Sequence, residues 1–272
     1  MINTHMLWAY GRLSNLEINC VNSFLNLGYR LKLWTYGDIM NAPKGAELGD
    51  AREIIPEEMV FMNKAGSYAG FSDLFRYTVL SKHGGLWADT DVVALIGPDK
   101  LPKDKFLVTE RIPNEDNLLI NGNVIFNPVP GAGDVIDLAL SYTLKRNKDD
   151  IIGDEIGPSL LTAIVSIYPG HGFKIMAPEF ANPINWWDCP FPFITPDFQL
   201  SQGYGFIHLF NESWRQTKTD KNLEFPRGSL MDLISRPIEI DFTRYGGGAC
   251  LPIAHRVAQA RIHPIDTPAS QQ

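Results

Sequence analysis

Two aspartates separated by one residue, Asp89 and Asp91, close the apolar run Leu86-Trp87-Ala88. If the backbone there is extended, both carboxylates point to one side together with Trp87. Clustered carboxylates repel unless a cation sits between them, and hard Mg²⁺ or Mn²⁺ suits oxygen ligands that also hold a diphosphate. Taken alone the pair is equally a solvated strand end. The run before it, Phe71-Ser72-Asp73-Leu74-Phe75-Arg76-Tyr77, supplies a second pair. Asp73 and Arg76 lie three apart, hence on one face of a helix. They form either a surface ion pair worth under about 1 kcal/mol or a site with two tasks. In the second case Asp73 accepts hydrogen bonds from sugar hydroxyls and Arg76 brings charge beside a diphosphate. Gly84 and Gly85 let the chain reverse tightly and return the aspartates to the start of that helix.

The elements that must hold these groups alternate between strand and helix patterns. Residues 5–10 read as a short apolar strand. Ser14-x-x-Glu17 is a capping box before the helical spacing of Ile18, Val21, Phe24 and Leu25, and Gly28 supplies the stop. Residues 30–36 are the next strand, and 39–60 read as loop with a short helix at most. A helix capped by Ser72 runs to Gly84-Gly85, and LWADTDVVAL (86–95) reads as one strand. Further strands are expected at 105–109, 118–126 and 204–210, with helices at 133–145 and 157–167. This order predicts an α/β fold around one central sheet.

Length and charge exclude several classes. At 272 residues, one large domain is the better prior. A formal charge of −7 lacks the basic footprint of a duplex-binding protein, so no nucleic-acid partner is expected. No apolar run reaches the roughly 18–20 residues of a membrane span, and MINTHMLWAYGRL lacks the features of a secretory signal. Three scattered cysteines, Cys20, Cys189 and Cys250, argue against a disulfide framework and a structural zinc site. A cytoplasmic chain is expected.

The central run S-D-x-x-R-Y-x-x-L-x-x-x-G-G-x-W-x-D-T-D resembles the donor-binding region of GT-A glycosyltransferases with a DXD motif. The kin it resembles are the sugar-binding-region family of yeast initiating α-mannosyltransferases, α-1,4-galactosyltransferases, capsule and lipopolysaccharide transferases and clostridial glucosylating toxins. His5-Met6-Leu7-Trp8 and Gly11 resemble that family's first strand, and LKLWTYGD (31–38) its second. INGNVIFNP (120–128) resembles the strand whose Asn contacts the donor sugar. IGPSLLT (156–162) resembles a helix start, and HLFNESW (208–214) resembles the terminal element that closes over the donor.

The resemblance implies a GT-A fold, a Rossmann-like nucleotide-binding sheet flanked by helices. It also implies a single domain over 1–264, with 265–272 read as a disordered tail. Asp91 would bind Mn²⁺ or Mg²⁺, with Asp89 on metal or ribose and His208, or Glu212 in its place, as a further ligand. Trp8 would stack on the base and Trp87 would wall the donor site. Asp73, Arg76 and Asn121 would contact the sugar, with Asn123 the alternative to Asn121, and Ser213 and Trp214 would order over the donor. For a nucleophile, Glu110, Asn121 and Glu155 stay open, and a front-face reaction needs none. The implied activity is hexose transfer, with retention, from a UDP-sugar (a GDP-sugar second) to a glycan or lipid-linked acceptor, as in capsule or lipopolysaccharide assembly. Arg256 and Arg261 read as a solvated face, with contact to anionic lipid at the inner membrane face as the alternative. Two alternatives stand beside it. One is a haloacid dehalogenase-type phosphatase using Asp89 and Asp91, although that motif normally occupies the first strand. The other is a sugar-nucleotide binder without turnover.

Overall fold

The computed structural model describes residues 2–63, 66–131, 133–196 and 203–235. The first strand, β1 (Asn3–Leu7), leads into α1 (Asn15–Asn26), then β2 (Arg30–Thr35) and β3 (Glu47–Asp50). Helix α2 (Ala69–His83) precedes β4 (Gly85–Ala88) and β5 (Val92–Ala94). After β6 (Phe106–Arg111) and β7 (Leu118–Asn127) come α3 (Val135–Thr143), α4 (Pro158–Ile167), β8 (Lys174–Met176), α5 (Pro178–Ala181) and α6 (Phe191–Ile194). Strand β9 (Phe206–His208), α7 (Asn211–Thr217) and α8 (Leu230–Ser235) complete the described chain.

Seven strands form the central sheet in the order β3-β2-β1-β4-β7-β6-β8. All run parallel except β7, which is antiparallel to both neighbours. This is the α/β class expected, with helices on both faces of a buried sheet. One core packs α2, α3 and α4 through Phe71, Phe75, Leu80, Ile136 and Leu161. A second packs α1 through Val21 and Phe24, with Leu33, Phe106 and Phe206.

The predicted Ser14 box is present: the Ser14 N–H donates to the Glu17 carboxylate at 2.9 Å, and α1 starts at the next residue. Four expectations change. Helix α2 begins at Ala69 rather than at a Ser72 cap, and Ser72 Oγ instead accepts from Arg76 at 3.3 Å. The loop expected over 39–60 contains β3, a polar edge strand that hydropathy could not reveal. The predicted strand 86–95 is two strands. Asp89-Thr90-Asp91 is a turn between them, closed by Val92 N–H to Asp89 O at 3.1 Å. Strand β9 lies outside the central sheet and pairs with β5 in a small two-stranded sheet. The boundary at 264, the tail, Arg256, Arg261 and Cys250 lie outside the described residues.

Two glycine positions make the geometry possible. Gly84 and Gly85 both take positive φ, and a Cβ on Gly85 would lie 2.4 Å from Asn3 O, so only glycine lets β4 enter beside β1. Gly122, in the bulged stretch where β7 shifts register against β6, leaves the space that the Arg76 guanidinium fills. A Cβ there would sit 2.0 Å from Arg76 Nη1.

Candidate functional site

Asp89 and Asp91 meet at the turn after β4, and β9 delivers His208 across from β5 in register with Val92. One ligand atom of each of the three residues lies within 4.8 Å of the others. The carboxylates share one space because of the turn, not by strand alternation.

Each is held separately. The Trp87 indole N–H donates to Asp89 Oδ1 at 2.7 Å, and Arg76 Nη2 reaches both Asp89 oxygens at 3.0 and 3.3 Å. Asp91 Oδ2 accepts from the Asn211 backbone N–H at 2.7 Å and faces His208 Nε2 at 3.4 Å. Burial raises the Asp89 carboxyl, Arg76 opposes this, and Asp91 adds to the rise. For Asp91 burial acts upward too, but His208 and the Asn211 N–H win, and its carboxyl is held low. Burial disfavours a charged His208, yet Asp91 and Asp89 draw its pKa upward.

The tautomer of His208 follows from its other side. Asn182 Nδ2 donates to Thr109 O at 2.9 Å, which turns Asn182 Oδ1 toward His208 Nδ1 at 3.2 Å. The same oxygen accepts from Asn123 Nδ2 at 2.9 Å. An acceptor facing Nδ1 requires a proton there, so Nε2 is the nitrogen turned toward the two carboxylates, where it can carry a second proton toward Asp91 or offer its lone pair to a cation. Two carboxylates with one imidazole suit Mn²⁺ or Mg²⁺. The donor set therefore fits a divalent metal.

Beneath the aspartates, Arg76 bridges Asp89 and Asp73, the latter at 3.1 Å. Both side chains of the Asp73–Arg76 pair are buried, so the surface-pair reading is replaced by a desolvated network. Burial pushes the Asp73 carboxyl up to about 6 against the pull of Arg76.

A cleft of about 1040 Å³ opens over this group. Trp8, Arg76, Asp89, Asp91, Asn121, His208, Ser213 and Trp214 line it, as does Glu212. Trp87 and Asp73 do not. Trp87 is fully buried under Asp89, so it supports the carboxylate through its N–H rather than forming a wall. Trp214 is held by its own indole N–H, which donates to Leu209 O at 2.8 Å. Glu212 bonds Arg215 and Gln216, away from the aspartates, which leaves His208 beside them. Asn121 faces the cleft, whereas Asn123 is fully buried against Asn182. Of the open nucleophile candidates, Glu110 and Asn121 border the cleft; Glu155 pairs with Arg146 at 2.6 Å and is not among its lining residues. The phosphatase alternative requires a free Asp89 carboxylate to attack phosphorus, but that group is committed to Trp87 and Arg76. Sequence reasoning passed over Tyr10, Tyr68, Asp154, Trp186 and Lys221, which also line the cleft. They come from loops and helix ends, where no period marks them.

Strand ends of an α/β sheet that present an Asp-Asp-His group in a cleft form an arrangement that could hold a divalent cation beside a ligand. Residues 22–107 match the family described as the glycosyltransferase sugar-binding region containing a DXD motif. An uncharacterized glycosyltransferase of Acanthamoeba polyphaga mimivirus is 23% identical over 202 residues, 69% of this chain and 76% of that protein. Among solved structures, the PaToxG glycosyltransferase is 20% identical with a TM-score of 0.41 over 62% of this chain and 70% of that one. The apo-form glycosyltransferase GlyE of Streptococcus pneumoniae TIGR4 is 13% identical with a TM-score of 0.44, over 90% of this chain and 61% of that one. The chain carries the sugar-binding region of the DXD glycosyltransferases and is a glycosyltransferase.

Proposed function

We propose that the chain is a metal-dependent hexosyltransferase of the GT-A type. It would take a UDP-hexose (GDP-sugar second) as donor and a glycan or lipid-linked saccharide as acceptor, with retention at the anomeric carbon. The observation that carries this reading is the convergence of Asp89, Asp91 and His208 Nε2, with one ligand atom of each within 4.8 Å of the others, in the cleft. A bound Mn²⁺ or Mg²⁺ would supply positive charge to a departing diphosphate.

The chain's own residues divide the remaining work. Asp89, Asp91 and His208 would hold the cation, and the Asn211 N–H fixes Asp91 in position for it. Trp8 offers its ring to the base at the end of β1. Arg76 favours the ionised form of Asp89 against the effect of burial and, with Asn121, borders the space for the transferred sugar. Asp73 acts through Arg76. Ser213 and Trp214, on α7, border the same cleft from the opposite side. Among the described residues no helix is long and apolar enough to cross a membrane. A role in capsule or lipopolysaccharide assembly at the cytoplasmic membrane face rests on the family resemblance.

The test is release of free nucleotide from a panel of nucleotide sugars with Mn²⁺, with Mg²⁺ and in EDTA. Metal-dependent hydrolysis of one donor is the expected result and names that donor. Donor binding with no turnover, even with acceptors supplied, would favour the non-catalytic alternative. No thermal shift with UDP or GDP plus Mn²⁺ would overturn the reading.

A further inference from the structure

Glu17 carries a contact that its place in the capping box does not explain. A glutamate is almost never fully buried unless it is paired, and Glu17 is fully buried. Its Oε2 takes the Ser14 N–H at 2.9 Å and the Ser14 hydroxyl, which completes the box at the start of α1. Its Oε1 takes the Lys221 ammonium instead. Lys221 lies in neither helix nor strand: α7 ends at Thr217, and α8 begins only at Leu230. On such a segment only its partners fix a four-carbon stem. The same turn of α1 grips the next residue too. The Asn15 N–H reaches Asn222 Oδ1 and the Asn15 amide reaches Asn222 O, both at 3.1 Å.

From Lys221 the contacts run directly to the Asp89–Asp91–His208 group. An ammonium has three N–H donors. One serves Glu17 Oε1 and one serves Asn211 Oδ1 at 3.1 Å. The Asn211 backbone N–H in turn donates to Asp91 Oδ2 at 2.7 Å. The third Lys221 donor meets no acceptor among the described residues, and Lys221, 27% exposed, borders the cleft together with Asn211, Asp91 and Trp8. An ammonium with one free donor, held in contact with the residue that fixes Asp91, suits a diphosphate oxygen. Glu17 does not line the cleft, so it acts only through Lys221. Its charge and its hold have opposite effects. A carboxylate beside the ammonium weakens the attraction to a phosphate, whereas an ammonium already held loses less rotamer freedom on binding. Two Ser14 donors offset part of the Glu17 charge, so the hold outweighs it.

We propose that Glu17 is a positioning residue for the donor's diphosphate, holding the Lys221 ammonium at the cleft wall beside Asn211. The inference rests on the donor reading above. Glu17→Gln keeps an oxygen for the Ser14 N–H, so the box and the fold persist, while the charge that anchors Lys221 is lost. With Mn²⁺ present, calorimetry should show UDP binding weakened about fivefold or more, with uridine binding unchanged. Adding Glu17→Gln to Lys221→Met should weaken UDP no further than Lys221→Met alone. Unchanged or tighter UDP binding in Glu17→Gln, an equal loss for uridine, or additive losses in the double variant would overturn the proposal. A second readout needs no nucleotide. Acylation of Lys221 by an N-hydroxysuccinimide ester, followed by peptide mass spectrometry, should be slower than that of the exposed Lys44 in the wild type and should approach it in Glu17→Gln. Inorganic pyrophosphate with Mn²⁺ should protect Lys221 in the wild type and less in Glu17→Gln. Equal Lys221 rates in the two chains overturn the proposal. Should Glu17→Gln fail to fold, a wild-type Lys221 that reacts as fast as Lys44, or that pyrophosphate leaves unprotected, overturns it as well. A wild type that binds neither UDP nor GDP fails the donor reading instead, and the pyrophosphate arm still decides the role of Glu17.

Discussion

At the scale of single residues, the charges around Arg76 separate stability from turnover. Arg76 bridges Asp73 and Asp89; Arg76 and Asp73 are buried, and Asp89 is half-buried at the cleft. Removing one member of a buried network leaves uncompensated charge, which costs about 3–5 kcal/mol. Arg76→Met should therefore lower the unfolding free energy measured in urea by an amount in that range, and loss of activity would follow from unfolding as much as from chemistry. Asp91→Asn should behave differently. The isosteric amide still offers an oxygen to the Asn211 N–H, so the fold persists, while one metal-binding oxygen is lost. Its thermal midpoint without metal should stay near wild type, Mn²⁺ should no longer raise it, and turnover should fall roughly 10²-fold or more. A Mn²⁺-dependent shift equal to wild type would remove Asp91 from the metal group. Asp89, Asp91, Asp73 and Arg76 were legible in the sequence because their spacing falls on a helix face and a strand end. Trp87 was legible as a residue but not as a role. Whether an aromatic beside a carboxylate lines a cavity or underlies it depends on neighbours far away in sequence.

At the scale of elements, the segment after β9 links the site to the opposite face of the cleft. Its start is held by Asp91, and its end by α1, through Lys221 to Glu17 and Asn15 to Asn222. Lys221 therefore touches both the Trp8 ring and Asn211, whose N–H holds Asp91, so a diphosphate placed beside Asp91 would meet it. Lys221→Met should weaken UDP binding about tenfold, the worth of one charge-assisted contact, and leave uridine binding unchanged in calorimetry. Equal losses for the two ligands would reduce Lys221 to a structural strut. Trp8→Ala should weaken both by about 1–3 kcal/mol if the ring stacks on the base. Helices α1 to α4 were readable from their apolar spacing and glycine stops, although the cap read at Ser72 is not the start of α2. Strand β3 was not, because an exposed edge carrying Glu47 and Asp50 has no apolar period. The separation of β5 from β4 was hidden for the opposite reason. Trp87-Ala88 and Val92-Val93 are equally apolar, and only the turn's hydrogen bond shows that the sheet ends at Ala88.

At the scale of the whole molecule, two buried groups give global stability opposing dependences on pH. His5 sits at the centre of the sheet, with Nε2 3.1 Å from Gly84 O and Nδ1 accepting from the Trp34 indole at 3.2 Å, so it ties β1 to β2 and to the turn before β4. Burial, only partly offset by the Gly84 bond, lowers its pKa to about 4. A depressed histidine contributes stability that is present above the unfolded value of about 6.5 and lost as pH falls toward 4. Asp73 runs the other way. Its carboxyl is raised to about 6, so its contribution is full below the unfolded value of about 3.9 and lost as pH rises through 6. Where the folded and unfolded chains differ by one bound proton, stability changes by about 1.36 kcal/mol for each step of one in pH. Between pH 7 and pH 5 the His5 loss is therefore about 2 kcal/mol and the Asp73 gain about 1 kcal/mol. The two should partly offset one another in the wild type. Asp73→Asn removes the gain, so its urea stability should drop about 1 kcal/mol more than wild type over that interval. His5→Gln removes the loss, so its stability should rise by about 1 kcal/mol over the interval in which the wild type falls by about 1 kcal/mol, even if its stability at pH 7 is lower. Parallel pH profiles for all three chains would show that neither group titrates as the buried network requires. A steeper profile in His5→Gln than in the wild type would mean that the ring is charged in the folded sheet, and the Trp34 indole could then no longer donate to it.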